Sequence, residues 1–188
     1  RGVRYMTLTW NNSTSWASSA MDESKLKNDP SAKLGLTEFG KQVVKRMNQL
    51  GMMVDLSHVG EKTFWDAIQT TTKPVLVSHS NAYALCPVFR NLKDEQIDAV
   101  GKNGGVIQLN FYSAFVDSTF KNREKIFLQN KQAEIKELIA KGMQKEYAQT
   151  MVVEKFNEES LAIQPPMRML LDHCDYIDKR MGVVDVGL

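Results

Sequence analysis

The sequence predicts an α/β fold, and within that class a partial (β/α)8 TIM barrel; three observations lead there. Short β-type runs alternate with helical patterns along the 188 residues. Runs such as Met52–Leu56 and Pro74–Val77 are continuously rather than alternately apolar, as expected of strands buried on both faces in a parallel sheet. No glycine-rich phosphate loop follows any of them, which counts against a nucleotide-binding sheet. The alternation by itself fits either a doubly wound sheet or part of a barrel. The 188 residues are fewer than the roughly 250 of a complete barrel, so a partial barrel is preferred.

The elements follow in order. Arg4–Thr9 reads as a strand, and the polar stretch Asn11–Lys33 as a long loop, too long to be a mere connection. A helix follows, with Thr37 as N-cap, Gly51 just past its end, and Phe39, Val43, Met47 and Leu50 on one face. Met52–Leu56 is the next strand and Glu61–Gln69 the next helix, carrying Phe64, Trp65 and Ile68. After the strand Pro74–Val77 comes a short helix, Asp94–Val100, ended by Asn103-Gly104-Gly105, and then the strand Val106–Asn110. The pattern then changes: Phe120 to about Glu159 is charged and strongly helical, a helical insert near 120–160 within one domain spanning 1–188. Pro165-Pro166 opens a further helix, since proline is tolerated in a first helical turn. Its expected apolar face is Met167, Leu170, Leu171, Cys174, Ile177 and Met181, and Val183–Leu188 reads as a last strand.

Composition bounds the partners. Basic and acidic residues number 24 and 22, for a net charge of +2. Because they are interspersed, neither a nucleic-acid stripe nor a polybasic lipid-binding block is present. No apolar run approaches the roughly 18 residues that cross a bilayer. The chain starts Arg1-Gly2-Val3-Arg4 with no initiator Met, so the true N-terminus is expected upstream. The compartment, cytoplasmic or exported, stays open for what reads as a soluble domain. Cys86 and Cys174 show no metal-type spacing, and no disulfide is expected between them.

The chemistry centres on two of three histidines. His58 ends Met53-Val54-Asp55-Leu56-Ser57-His58 and His79 ends Val75-Leu76-Val77-Ser78-His79, each just beyond a strand's carboxyl end. One helix separates them, so they belong to consecutive parallel strands, about 4.8 Å apart. Both emerge on the rim where barrels build active sites, where two imidazoles can share one ion at about 2.0–2.1 Å each. A histidine in this position also serves as a cap or a loop tie, and two ligands do not complete a zinc site. Asp55 is either a further ligand or a group that fixes an imidazole from behind. His173, between Asp172 and Asp175, reads as solvated or capping, the charged run Lys121–Lys145 as a solvated face, and Met143, Met151, Met167 and Met169 as packing.

Several longer stretches resemble the membrane (renal) dipeptidase family, in order along nearly the whole chain outside the helical insert. They are Arg4-Tyr5-Met6-Thr7-Leu8-Thr9, Gly35-Leu36-Thr37-Glu38-Phe39-Gly40, the two histidine segments, Arg90-Asn91-Leu92, Asn103-Gly104-Gly105-Val106, Asn110-Phe111-Tyr112, Asp172-His173-Cys174-Asp175-Tyr176-Ile177 and Val183-Val184-Asp185-Val186-Gly187-Leu188. The resemblance implies a barrel of the metal-dependent hydrolase type that holds two zinc ions and hydrolyses dipeptides, some with D-residues at the C-terminal position. It implies His58 and His79 as ligands of one zinc, and Arg90 as the fork that holds the substrate carboxylate. It also implies hydrolysis by a zinc-bound hydroxide, with an aspartate passing the proton to the leaving amine.

Two departures stand out. Trp10 follows Thr9 where the family often has a histidine that supports the developing oxyanion, which puts the substrate range in doubt. Asn11, Asn12 and Trp16 are candidates to line the same pocket. The family's early His-x-Asp pair, its bridging Glu and its catalytic Asp have no counterparts in this chain. The chain is therefore expected to be a central fragment with no catalytic base of its own, weak zinc binding and no appreciable peptidase activity. The alternative is a non-hydrolytic barrel relative that binds or modifies a small peptide-like ligand. A cut barrel leaves exposed edge strands, so self-pairing, including a homodimer, is expected of a chain that exists alone.

Overall fold

The structure is a computed structural model that describes residues 2–182 and the backbone of 186–187. Five strands, β1 (Tyr5–Thr7), β2 (Met53–Asp55), β3 (Leu76–Val77), β4 (Val106–Gln108) and β5 (Val186–Gly187), make one sheet. Their order in space is their order in the chain, and every pairing is parallel. A doubly wound sheet reverses direction at a switch point. No reversal occurs among the described residues, so the sheet is that of a partial barrel. The expected last strand lies partly outside the described residues.

Helices α2 (Glu38–Gln49), α3 (Glu61–Thr70), α4 (Asp94–Asn103) and α8 (Met167–Met181) cover one face of the sheet. Val54, Val77 and Ile107 from the strands pack there with Val44, Met47, Phe64, Ala67, Ile97, Val100, Leu170 and Ile177. Local chemistry sets the boundaries. Thr37 caps α2 by accepting from the Gly40 N–H. Gly104 ends α4 at φ 72°, a left-handed cap that favours glycine. Gly105 follows because a Cβ there would meet the Val75 carbonyl at 2.6 Å. On the opposite face, Tyr5, Met53, Leu76, Val106 and Gln108 line a cavity of about 650 Å3 with Met52 and Pro74, toward the amino ends of the strands.

The structure corrects three sequence expectations. The stretch 11–33 is not a plain loop: α1 (Ala20–Lys25) lies inside it, capped by Ser19, whose hydroxyl accepts from the Asp22 N–H. Isolated bridges Ala17↔Leu36 and Ser19↔Val59 tie the stretch to its surroundings. The buried face of α2 is Gly40, Val44 and Met47, which keeps Met47 of the expected face but replaces Phe39 and Val43 by the residues that follow them. Phe39 and Leu50 are 60% and 59% exposed, and Phe39 packs edge-on against Trp16. On α8 the buried positions are Leu170, His173 and Ile177, while Met167 is 64% exposed.

Between β4 and α8 lie α5 (Ser113–Val116), α6 (Phe120–Ala140), α7 (Lys145–Ser160) and a 3-10 turn at Leu161–Ile163. The helices α6 and α7 pack as a pair, joined by Phe127 against Phe156 and by Lys131 with Glu159.

Candidate metal centre

The two histidines are held by different local devices. β2 ends at Asp55, and the Leu56 N–H still donates to the Leu76 carbonyl. His58 then turns with φ 68°, the one positive φ outside glycine among the described residues. Such a left-handed residue costs about 1–2 kcal/mol and persists where its surroundings over-determine it. Here the Ala20 N–H at the start of α1 donates to the His58 carbonyl at 2.8 Å. His79 is fixed from the other strand, its N–H donating to Ser57 Oγ at 2.9 Å.

The result is convergence. His58 Nε2 and His79 Nε2 lie 2.8 Å apart, with ring centroids at 4.8 Å and planes at 63°. Behind the rings, His58 Nδ1 is 3.1 Å from Asn11 Oδ1, and His79 Nδ1 is 2.8 Å from Ser78 Oγ. Asp55, left open by the sequence, is fully buried. Its oxygens accept from the Thr7 hydroxyl at 2.5 Å, the Ser78 hydroxyl at 2.7 Å and the N–H groups of Ser57 and Ser78 at 3.0 Å each. It stands behind the histidines, and its lone pairs are used there.

Burial lowers both imidazoles, and the charge of Arg90 adds to it; His58 falls to about 4. Both rings are therefore neutral near pH 7, the form that binds metal. Two Zn–N bonds of about 2.05 Å at a tetrahedral angle place the nitrogens about 3.3 Å apart. The observed 2.8 Å lies within about 0.5 Å of that spacing. Among the described residues no group of three His, Cys, Asp or Glu side chains could hold a metal.

Trp10, 67% exposed, joins His58, His79, Thr7, Leu8, Thr9 and Thr14 around an open depression of about 540 Å3. Arg90 faces a neighbouring cavity of about 480 Å3, with Val59, Tyr83 and Phe89 among its walls. The guanidinium is buried, Nε and Nη2 have no hydrogen-bond partner, and burial brings Arg90 down to about 10. The remaining buried side-chain polar atom without a partner among the described residues is Thr9 Oγ1. Orphaned buried polar groups are rare and costly, and these two residues flank the histidines. Of the other candidates, Asn11 is brought to His58, Trp16 is carried away to pack on α2, and Asn12 is exposed.

Two asparagines place Arg90. Asn81 donates to the carbonyls of Asn110 and Phe115 and accepts from the Asn110 N–H. Asn91 accepts from the Asn81 N–H and donates to the carbonyls of Cys86 and Phe115. Sequence reasoning missed both, and also Ser57, Ser78 and Thr7. One signal was available: the dipeptide Ser-His recurs at 57–58 and 78–79, and Ser78 Oγ lies 3.3 Å from Ser57 Oγ. His173 is neither solvated nor capping. It is 1% exposed, with Nδ1 accepting from the Ala82 N–H and Nε2 3.1 Å from the Val116 carbonyl. Cys86 and Cys174 are both free.

A singly wound parallel sheet with two histidines converging at the carboxyl ends of adjacent strands is the framework of a (β/α)8-type barrel, with the pair on the rim where such barrels build their sites. The profile of membrane dipeptidases (peptidase family M19) matches residues 1–188, and the chain belongs to that family. An uncharacterized dipeptidase of Schizosaccharomyces pombe is 42% identical over 125 residues, covering 66% of this chain and 29% of its own length. The solved structure of the probable dipeptidase PvdM from Pseudomonas aeruginosa superposes with a TM-score of 0.68 at 25% identity, over 100% of this chain and 50% of that one. A metallo peptidase from Rhodobacter sphaeroides, solved with a phosphinate mimic of the dipeptide L-Ala-D-Ala, shares the fold with a TM-score of 0.65 at 24% identity, over 98% of this chain and 41% of that one. The chain thus spans half or less of the length of these relatives.

Proposed function

We propose that this chain is the central part of a zinc-dependent dipeptidase, with His58 and His79 as two ligands of one zinc. The observation that carries the reading is the approach of the two Nε2 atoms to 2.8 Å at adjacent strand tips. Zinc held by His58 and His79 would supply Lewis-acid activation of water and of the peptide carbonyl. This chain's own part is to hold and orient. Arg90, a buried cation with two unpaired nitrogens, is proposed to receive the free carboxylate of a dipeptide through its planar fork. Thr9 Oγ1, unpaired on the rim of the histidine depression, offers a further hydrogen bond, and Trp10 limits the width of the opening. In the complete enzyme two ions are proposed, with the remaining ligands and the proton-transferring carboxylate coming from flanking polypeptide. By itself the 188-residue stretch is expected to bind zinc weakly and to show no appreciable peptidase activity.

Trp10 favours a second reading. An indole N–H can donate, but it cannot replace imidazole in supporting an oxyanion, so a barrel that binds a small peptide-like ligand without cleaving it also fits this rim. No helix among the described residues is long and apolar enough to cross a membrane. The test joins metal analysis of the purified protein, with its flanking sequence, to a panel of dipeptides that includes D-configured C-terminal residues. Loss of one zinc equivalent in His58→Ala and His79→Ala, together with turnover by the native protein, supports hydrolysis. Zinc and dipeptide binding without turnover supports the second reading, and metal-free protein with both histidines intact ends the first.

A further inference from the structure

We infer that Ser78, backed by Asp55, and Asn11 are positioning residues that force both imidazoles into the tautomer with hydrogen on Nδ1 and a free lone pair on Nε2. The inference rests on the zinc-site reading and deepens it.

Proton accounting carries the argument. The Asn11 carbonyl oxygen can only accept, so its 3.1 Å contact with His58 requires the hydrogen on Nδ1 of His58. Ser78 has one hydroxyl hydrogen and three partners: Asp55 Oδ2 at 2.7 Å, His79 Nδ1 at 2.8 Å and Ser57 Oγ at 3.3 Å. Asp55, with four donors on its two oxygens, acts only as an acceptor, and its bond to Ser78 is the shortest of the three. The Ser78 hydrogen therefore goes to Asp55. The contact with His79 must then run the other way, from Nδ1–H of His79 to the Ser78 oxygen. Both Nε2 atoms are left bare and facing at 2.8 Å. Two neutral lone pairs that close repel, and a cation between them relieves the repulsion. The two supports differ in kind: His79 is connected to a carboxylate through one hydroxyl, His58 to a neutral amide. Such outer partners fix ring orientation and ligand basicity, and their loss costs about 10–100-fold in metal affinity.

The test uses zinc affinity by competition with a chromophoric chelator, and proton NMR of the cobalt-substituted protein, where Nδ1 hydrogens of ligating imidazoles appear as shifted resonances lost in D2O. The native protein is expected to show one such resonance for each of His58 and His79. Ser78→Ala should weaken zinc binding about 10–100-fold and speed exchange of the His79 resonance alone. Ser78→Thr, which keeps the hydroxyl, should restore both readouts. Asn11→Ala should act on the His58 resonance alone, and Asn11→Asp, which keeps the acceptor, should preserve it. If the alanine variants bind zinc as the native protein does, with unchanged exchange, the positioning roles are wrong while the zinc site stands. If the native protein takes up neither zinc nor cobalt, the zinc-site reading falls and takes this inference with it.

Discussion

The guanidinium of Arg90 lies 5.3 Å over the ring of Phe115, a cation resting on an aromatic face with two of its nitrogens buried and unpaired. Removing a buried, uncompensated charge is often neutral or stabilising, whereas losing a bidentate carboxylate contact weakens binding. Arg90→Met is therefore expected to leave the thermal midpoint unchanged or raised, while dipeptide affinity falls about 30-fold or more, a loss of about 2 kcal/mol or more. Arg90→Lys should not recover the affinity, because an ammonium lacks the planar fork. Thermal melts alongside binding titrations check both halves, and a large drop in midpoint for Arg90→Met would show that the guanidinium is a structural tie.

Thr9 makes a similar prediction on a smaller scale. Its hydroxyl has no partner to lose, so Thr9→Val is expected to change stability by less than about 1 kcal/mol. Ligand affinity should decline all the same. Denaturant titration and ligand binding of the one variant decide it; an unaltered affinity refutes the role given to Thr9.

Metal binding should be visible as stability. Zinc at a hundredfold excess over its Kd should raise the unfolding free energy by about 2.7 kcal/mol, and chelation should reverse the gain. His58→Ala and His79→Ala should each remove that increment. A zinc-induced rise in midpoint as large in the double variant as in the native protein would show that the two histidines hold no metal.

Acid should destabilise the metal-free protein by way of its histidines. His58, His79 and His173 are all held below the ordinary imidazole range, chiefly by burial, and His58 falls to about 4. An unfolded imidazole takes up its proton near pH 6.5, so between about 6.5 and 4 the unfolded state binds more protons than the native one. Stability is fully present above that window and declines as pH falls through it. The loss between pH 7.5 and 4.5, measured by urea unfolding, should be smaller in His58→Gln than in the native protein. Equal losses in the two count against the assignment.

His173→Leu tests a structural role. The substitution leaves the Ala82 N–H and the Val116 carbonyl without their partner, at a cost of about 2–4 kcal/mol. Zinc affinity should be unchanged. A neutral effect on stability would mean that water replaces the imidazole.

The sequence showed the strand–helix alternation and the rim that carries His58 and His79, because continuous apolar runs and strand-tip residues are local signals. It left open whether the sheet was singly or doubly wound, since strand order depends on pairings between segments far apart in the chain. The misphased face of α2 has a simple cause. Phe39 and Leu50 are large and apolar, yet Gly40 is the residue pressed against the Trp16 carbonyl, where a Cβ would come within 2.5 Å. Hydrophobicity cannot report a position chosen for smallness. His173, between two acidic residues, looked wet for the opposite reason: its own partners, Ala82 and Val116, are 91 and 57 positions away. The Ser-His dipeptide was in plain view at 57–58 and 78–79. Its meaning needed the third dimension, because each serine serves the neighbouring strand as well as its own.

The paired asparagines at 81 and 91 carry a kinetic consequence. They brace the Arg90 segment against Asn81 beyond β3 and, through the carbonyls of Asn110 and Phe115, against the start of α5, by bonds internal to the protein. If Arg90 receives an anion, as proposed, that anion meets a side chain whose segment is already braced, and capture is expected to need no ordering step. Association should follow a single exponential whose rate rises linearly with ligand concentration, without the plateau that marks a slow rearrangement.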